Sequence, residues 1–248
     1  MHNLIAANWK MNPISQEEAR NLFNSIKKGI GSAQAEVVIC PPFLYLPAIA
    51  EGNGGLALGA QNIFWEEKGA FTGEISGAML KDLGVEYVII GHSERRKYFG
   101  ETDEIVNKKI KKALESGLKV IFCIGETAEE RDAGKKNKIL ERQIKNGLAD
   151  IENWKLKIEN LAIAYEPVWA IGTGNNCSVE ETKESIDYIR NLLALSHAEG
   201  VNTRILYGGS VKSENSGDYI KNAGANGLLV GGASLNAEEF IKIVTSAE

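Results

Sequence analysis

Short apolar runs recur along the chain, and each gives way to a stretch whose apolar residues return every three or four positions. The runs are Leu4 to Ala7, Val37 to Cys40, Leu56 to Ala60, Tyr87 to Ile90, Val120 to Ile124, Leu161 to Tyr165, Arg204 to Tyr207, and Gly227 to Val230. Their length and apolar content predict buried strands. The stretches between them read as helices. From Thr102 to Ser116, Val106, Ile110, Ala113 and Leu114 fall on one face and the pattern stops at Gly117. Ser178 to Glu181 reads as a capping box, followed by Thr182, Ile186, Ile189 and Leu193 on one face, and Asn236 to Glu239 opens the last helix in the same manner.

Strand and helix in alternation predict a parallel sheet. Eight such units in 248 residues fit a closed (β/α)8 barrel of class α/β better than an open doubly wound sheet. The first run is followed by no Gly-x-Gly-x-x-Gly, so a dinucleotide fold lacks its usual support. With no Pro-rich linker or low-complexity break, residues 1–248 are expected to form a single domain.

Side chains on a strand alternate between two faces, so Ala162, Ala164 and Glu166 point one way while Leu161, Ile163 and Tyr165 point the other. The small set suits the inside of a barrel and places Glu166 at its mouth. The same rule groups Ala6, Asn8 and Lys10 after the first strand, and Ile90, His92 and Glu94 after the fourth. Taken singly, the His reads as a satisfied structural group, the Lys as a solvated charge and the Glu as a cap or an ion-pair partner. Together they gather at the carboxyl ends of strands, where barrel enzymes carry their active sites.

Glycines mark a second feature of that face: Gly172 and Gly174 after the sixth run, Gly208 and Gly209 with Ser210 after the seventh, Gly231 and Gly232 after the eighth. Each pair alone is a tight turn. Clustered on neighbouring strand ends, they expose backbone N–H groups to an anion and favour a phosphate site. The net charge of −5 argues against nucleic acid or an anionic membrane as partner, so any anion is captured locally. Gln61 to Ser76 is long for a connection and carries Ile63, Phe64, Trp65 and Phe71; it reads as an interface loop, with a self-packed Ω-loop as the other option. Cys40, Cys123 and Cys177 show neither a CxxC pair nor zinc-type spacing and read as structural thiols in a reducing compartment. The opening MHNLIAANWK has no leader pattern, and the chain has no run of eighteen apolar residues, so a cytoplasmic protein is expected.

The strings NWKMN (Asn8 to Asn12), GHSERR (Gly91 to Arg96), CIGE (Cys123 to Glu126), AYEPVWAIGTG (Ala164 to Gly174), YGGSV (Tyr207 to Val211) and GLLVGGASL (Gly227 to Leu235) resemble the triosephosphate isomerase family, in that family's order and over nearly the whole chain. The resemblance implies a TIM barrel that interconverts dihydroxyacetone phosphate and D-glyceraldehyde 3-phosphate without cofactor or metal. It implies Glu166 as the base and His92 as the electrophile, a pairing of carboxylate and neutral imidazole for which this family is the standing example. Lys10 would offset enediolate charge with Asn8 beside it, and Glu94 would hold Lys10. Gly172, Ser210, Gly231 and Gly232 would bind phosphate. Pro167, Val168, Trp169, Ala170, Ile171, Gly172, Thr173 and Gly174 would form a lid. Phe71, Thr72 and Gly73 would sit in a homodimer interface, with Thr72 reaching toward Asn8 of the other subunit. The run GNNCSVEE (Gly174 to Glu181) departs from the family's usual sequence after the lid, which touches hinge kinetics and not chemistry. Two other readings remain open. A phosphosugar-binding barrel without turnover would not need Glu166, His92 and Lys10 together, and an aldolase would want a Schiff-base Lys deep within a strand.

Overall fold

The computed structural model describes residues 2–31, 33–151, 158–172, 175–197 and 203–247, and in it the eight runs are the strands of one closed barrel. They are β1 (Leu4–Asn8), β2 (Glu36–Cys40), β3 (Ala57–Ala60), β4 (Tyr87–Ile90), β5 (Lys119–Ile124), β6 (Leu161–Tyr165), β7 (Arg204–Tyr207) and β8 (Gly227–Val230). Neighbours in sequence pair in parallel, and β8 closes on β1 with Leu4 opposite Gly227. Gly227 is required there, because a Cβ would lie 1.9 Å from the Leu4 carbonyl oxygen. Four strands have the expected bounds. The others shift by one residue, gaining Asn8, Glu36 and Lys119 and losing Leu56. The gained residues are polar and lie at strand ends, where hydropathy does not register a continuing ladder.

Among the described residues the α-helices are α1 (Gln16–Ile30), α2 (Leu46–Ala50), α3 (Gly77–Asp82), α4 (Ser93–Phe99), α5 (Asp103–Glu115), α6 (Ala128–Asp132), α7 (Lys136–Gly147), α8 (Val179–His197), α9 (Ser213–Lys221) and α10 (Ala237–Ser246). Thr102 caps α5, and Val106, Ile110, Ala113 and Leu114 are buried as their spacing predicts. Both expected capping boxes are only half made. Ser178 and Asn236 accept from the backbone N–H of Glu181 and Glu239, but those carboxylates go elsewhere: Glu181 to Arg131, Glu239 to the N–H and hydroxyl of Ser213. Tertiary partners compete for a side chain that local sequence assigns to a cap.

Two apolar layers follow from the alternation. Ala6, Val38, Ile89, Ile121, Ala162, Ala164 and Leu206 fill the barrel, while Ile5, Ile39, Val88, Phe122, Ile163 and Ile205 pack outward against the helices. One expectation fails here. Ile90 belongs to the outer layer, so the grouping of Ile90 with His92 does not hold. Gly91 at φ 75° interrupts the alternation, and the break turns His92 inward.

At the amino ends of the strands, Glu36 of β2, Tyr87 of β4, Lys119 of β5 and Arg204 of β7 form one polar cluster. Arg204 Nη1 donates to Glu36 Oε2 at 2.5 Å and Nη2 to the Tyr87 hydroxyl at 3.1 Å, and that hydroxyl donates to Glu36 Oε1. Burial alone raises the Glu36 carboxyl; the hydrogen bonds from Tyr87 and Arg204 and the guanidinium charge outweigh it and lower the pKa to about 2.

Candidate active site

The first polar group at the carboxyl ends comes from β1. Asn8 is its last residue, and its Oδ1 accepts from the backbone N–H of Lys10 at 3.0 Å. That bond, together with Gln61 Nε2 donating to the Lys10 carbonyl at 2.9 Å, holds Lys10 at φ 55°, a left-handed conformation rare for a residue with a side chain. The same Gln61 nitrogen donates to the Cys40 carbonyl at 2.8 Å, tying the turn after β1 to the end of β2. The Lys10 ammonium reaches Glu94 Oε1 at 2.5 Å.

His92 caps α4, with its Nδ1 accepting from the backbone N–H of Glu94 at 3.2 Å. An imidazole that accepts at Nδ1 carries its proton on Nε2, the nitrogen facing the cavity side of Glu166. Nε2 lies 3.1 Å from Glu166 Oε1, without the alignment of a hydrogen bond. Two ion-paired clusters brace the turn that carries His92. Arg96 donates to Asp103 and to the Gly91 carbonyl, and Arg95 and buried Lys109 both bond Glu101.

Glu166 continues the inward line of Ala162 and Ala164 and is only 2 % exposed. Its backbone N–H donates to Ile124 at 2.7 Å, extending the β5–β6 ladder by one step. Its Oε2 accepts from the Ser93 backbone N–H at 2.9 Å, and its Oε1 has no hydrogen-bond partner. Two glycines make room for it. A Cβ on Gly125 would lie 1.7 Å from the Glu166 carbonyl oxygen, and one on Gly208 would lie 3.0 Å from Glu166 Cγ.

Val168–Ala170 forms a 3-10 turn after Pro167, with Ala170 buried. Beneath it sits Glu126, fully buried, accepting from Trp169 Nε1 at 2.9 Å and from the Tyr165 hydroxyl at 3.2 Å, while its carbonyl accepts from the Val168 N–H. Burial pushes the Glu126 carboxyl above its ordinary value against those hydrogen bonds. Ser210 donates to the Ala170 carbonyl at 2.6 Å and so ties the segment to the loop after β7. Thr173 and Gly174, also expected in the lid, lie outside the described residues.

Asn8, Lys10, His92, Glu166, Ile171, Gly172, Ser210, Gly231 and Gly232 line one cavity of about 640 Å³. A Cβ on Gly231 would lie 3.2 Å from Lys10 Cε, so the glycine loop after β8 packs directly against the ammonium stem. Glu94 does not line the cavity and reaches it through Lys10. Phe71, Thr72 and Gly73 lie away from it, exposed on the loop after β3. In that loop Ile63 is buried in the core and unavailable to a partner, while Phe64 packs on Trp65 and Phe71, with ring centroids 4.0 and 4.8 Å apart. The loop is therefore partly self-packed, with Phe71 left exposed.

Gln61, Ser93 and Glu126 escaped the sequence reading as members of the site. Glu126 stood in the CIGE string two residues after Ile124, Ser93 stood in GHSERR and Gln61 opened the loop to Ser76, but the contacts that tie all three to the site are with distant chain and leave no local signal. Among the described residues no group of three or more His, Cys, Asp or Glu is placed to hold a metal ion, and no helix is long and apolar enough to cross a membrane.

Fold and site together define a class: a (β/α)8 barrel whose mouth sets a carboxylate, an imidazole and an ammonium around one cavity floored by glycine loops. The family model for triosephosphate isomerase matches residues 3–247. The chain belongs to that family. Curated relatives named triosephosphate isomerase include those of Alkaliphilus oremlandii, 49% identical over 245 residues (97% of this chain, 98% of the relative), and Moorella thermoacetica, 48% identical over 244 residues (97% of each). The triosephosphate isomerase of Aquifex aeolicus is 49% identical over 250 residues, covering 99% of this chain and all of that protein.

Proposed function

We propose that the protein interconverts dihydroxyacetone phosphate and D-glyceraldehyde 3-phosphate through an enediolate. Glu166 takes a proton from the hydroxymethyl carbon; the C–H electron pair becomes the new carbon–carbon double bond, and the carbonyl pair moves onto oxygen. Transfer of the remaining hydroxyl proton from the first oxygen to the second, beside the His92 imidazole, and return of the carbon proton from Glu166 to the neighbouring carbon complete the isomerisation. His92 Nε2–H donates to the substrate oxygens, Lys10 offsets the growing negative charge with Asn8 beside it, and Glu94 holds Lys10 in place. Donors preorganised where charge develops lower the barrier most, and a positioned base adds on the order of 10² to 10⁴ in rate.

The observation that carries this reading is the convergence of Glu166, His92 and Lys10 on one cavity with Gly172, Ser210, Gly231 and Gly232, which would hold the phosphate. Pro167 to Gly174 would act as a lid that excludes water. The chemistry calls for no cofactor or metal.

We also propose a single barrel domain over residues 1–248 and a cytoplasmic homodimer, with nucleic acid and membrane excluded as partners. The dimer is supported by the exposure of Met11, Ile14, Leu44, Phe71, Met79, Tyr98 and Phe99, a surface that water solvates poorly; Thr72 and Gly73 beside Phe71 would join the interface. A coupled isomerisation assay on the parent and Glu166→Gln tests the activity. Turnover in the parent and its near-complete loss in the variant is the expected result; equal turnover in both would remove Glu166 as the base.

A further inference from the structure

We infer that Arg131 and Glu181 clamp the indole of Trp169 and thereby set the resting position of the lid, which makes both of them positioning residues for the isomerisation. The inference rests on the lid and base assigned above. Arg131 lies in α6, beyond β5, and its guanidinium carbon stands 3.8 Å from the centroid of the Trp169 ring. A guanidinium at that height is drawn to the negative face of an indole. It is aimed there by Glu181 in the first turn of α8: Nε donates to Oε1 at 3.2 Å and Nη2 to Oε2 at 3.0 Å, two parallel bonds that fix the plane of the fork. The edge of the same indole donates to Glu126. Trp169 is thus held on its face by Arg131 and at its edge by Glu126, both from the segment after β5, with Glu181 of α8 aiming the guanidinium. Neither Arg131 nor Glu181 lines the active-site cavity, so any effect they have on turnover passes through Trp169.

The pose they hold has the Glu166 carboxylate bonded to the Ser93 N–H. To reach a carbon in the cavity the carboxylate leaves Ser93, and Pro167 and the 3-10 turn follow it in the chain. There is space for that movement. Glu166 lines both the active-site cavity and a second one of about 730 Å³, whose wall also includes Ser93, Gly125, Val168 and Trp169. The clamp therefore stabilises the pose in which the base is parked. Where only a fraction of molecules is competent to cover the substrate, apparent affinity falls by that fraction, and weakening the resting pose restores it. A contact that merely supports the fold has the opposite signature when removed.

The test combines steady-state kinetics with the ¹⁹F resonance of Trp169 in protein labelled with 5-fluorotryptophan, the resonance being identified by its loss in Trp169→Phe. For Arg131→Ala the expected result is a KM lowered by about threefold with a smaller change in kcat, and a displaced Trp169 resonance in the ligand-free protein. Arg131→Lys falls between, since an ammonium keeps the charge but lacks the fork. Glu181→Gln alters a part-exposed side chain whose other ionic neighbour, Lys136, is 3.9 Å away, so it reads the clamp even if Arg131→Ala folds poorly; the double variant matches the stronger single one, because both changes undo the same contact. A KM equal to or above the parent's in both single variants, or a Trp169 resonance at the parent position in both, overturns the clamp. Absence of isomerisation in the parent would instead sink the functional reading, while the ¹⁹F comparison would still decide whether the clamp holds Trp169.

Discussion

The segments that follow β1 to β4 and those that follow β5 to β8 meet solvent differently. The first set exposes Met11 at 90 %, Ile14 at 87 %, Leu44, Phe71, Met79, Tyr98 and Phe99; among the described residues the second set exposes one large apolar side chain, Leu195. The second set carries the proposed lid and the glycine loops at 208–210 and 231–232, whose small residues line the cavity. Under the proposed function the first half would meet a second copy of the chain and the second half would hold the phosphate. The cavity lies on the seam, because Asn8, Lys10 and His92 come from the first half and Glu166 from the second. If the proposed dimer forms, assembly and chemistry would be coupled through the first half, because the loops that would meet a partner also carry the Lys10 ammonium and the His92 imidazole.

The seam breaks most sharply at the base. Glu166→Asp withdraws the carboxylate by about one carbon–carbon bond, and kcat is expected to fall by roughly 10²-fold with the thermal transition unchanged. Steady-state kinetics beside a melting curve check both parts, and unchanged turnover would mean that the base lies elsewhere.

Next in size is an attack on the apolar half alone. Phe71→Asp puts a charge into the proposed interface, and sedimentation at micromolar concentration is expected to show a species of 27.0 kDa. Activity of that species should drop by roughly tenfold, since Lys10 and His92 lose the packing around their loops. A parent protein that is itself a fully active monomer would remove the coupling between the halves.

A third test addresses the joint. The Glu36 cluster draws on β2 and β4 from one half and β5 and β7 from the other. With its folded pKa at about 2 against an ordinary value of 4.5, Glu36 contributes stability that is fully present above 4.5 and is lost as pH falls toward 2. Glu36→Gln should therefore lower the urea midpoint at neutral pH and flatten its decline between pH 4.5 and 2. A decline as steep in the variant as in the parent would show that other carboxylates carry the acid sensitivity. The smallest expected effect is none: turnover in EDTA should equal turnover without it, because the proposed mechanism gives the charge work to Lys10, His92 and backbone donors. Loss on chelation, restored by a divalent cation, would contradict that assignment.

Much of the site was legible because barrel chemistry sits where strands end, and strand ends can be read from hydropathy. Glu166 followed from alternation through Ala162 and Ala164, and Asn8 from alternation through Ala6. His92 was found for a reason that failed. Counting from Ile90 put it on the correct side only because Gly91 breaks the count, and a positive φ is not written in an apolar pattern. The capping boxes misled in a related way, since Ser178 and Asn236 perform their half while Glu181 and Glu239 serve partners far along the chain.

By itself the sequence determined the number of strands, their parallel order and the types of side chain at the barrel mouth. Those depend on local periodicity and on which residues a buried strand tolerates, and both are written in neighbouring positions. Tertiary structure alone decided that Gln61 holds Lys10 in a left-handed turn, that Ser93 receives the Glu166 carboxylate, and that Arg131 lies over Trp169 under the direction of Glu181. Each of those contacts joins segments far apart in sequence that meet only once the strands pair into the ring. Closure of the ring is a property of the whole chain, so no stretch of sequence carries it.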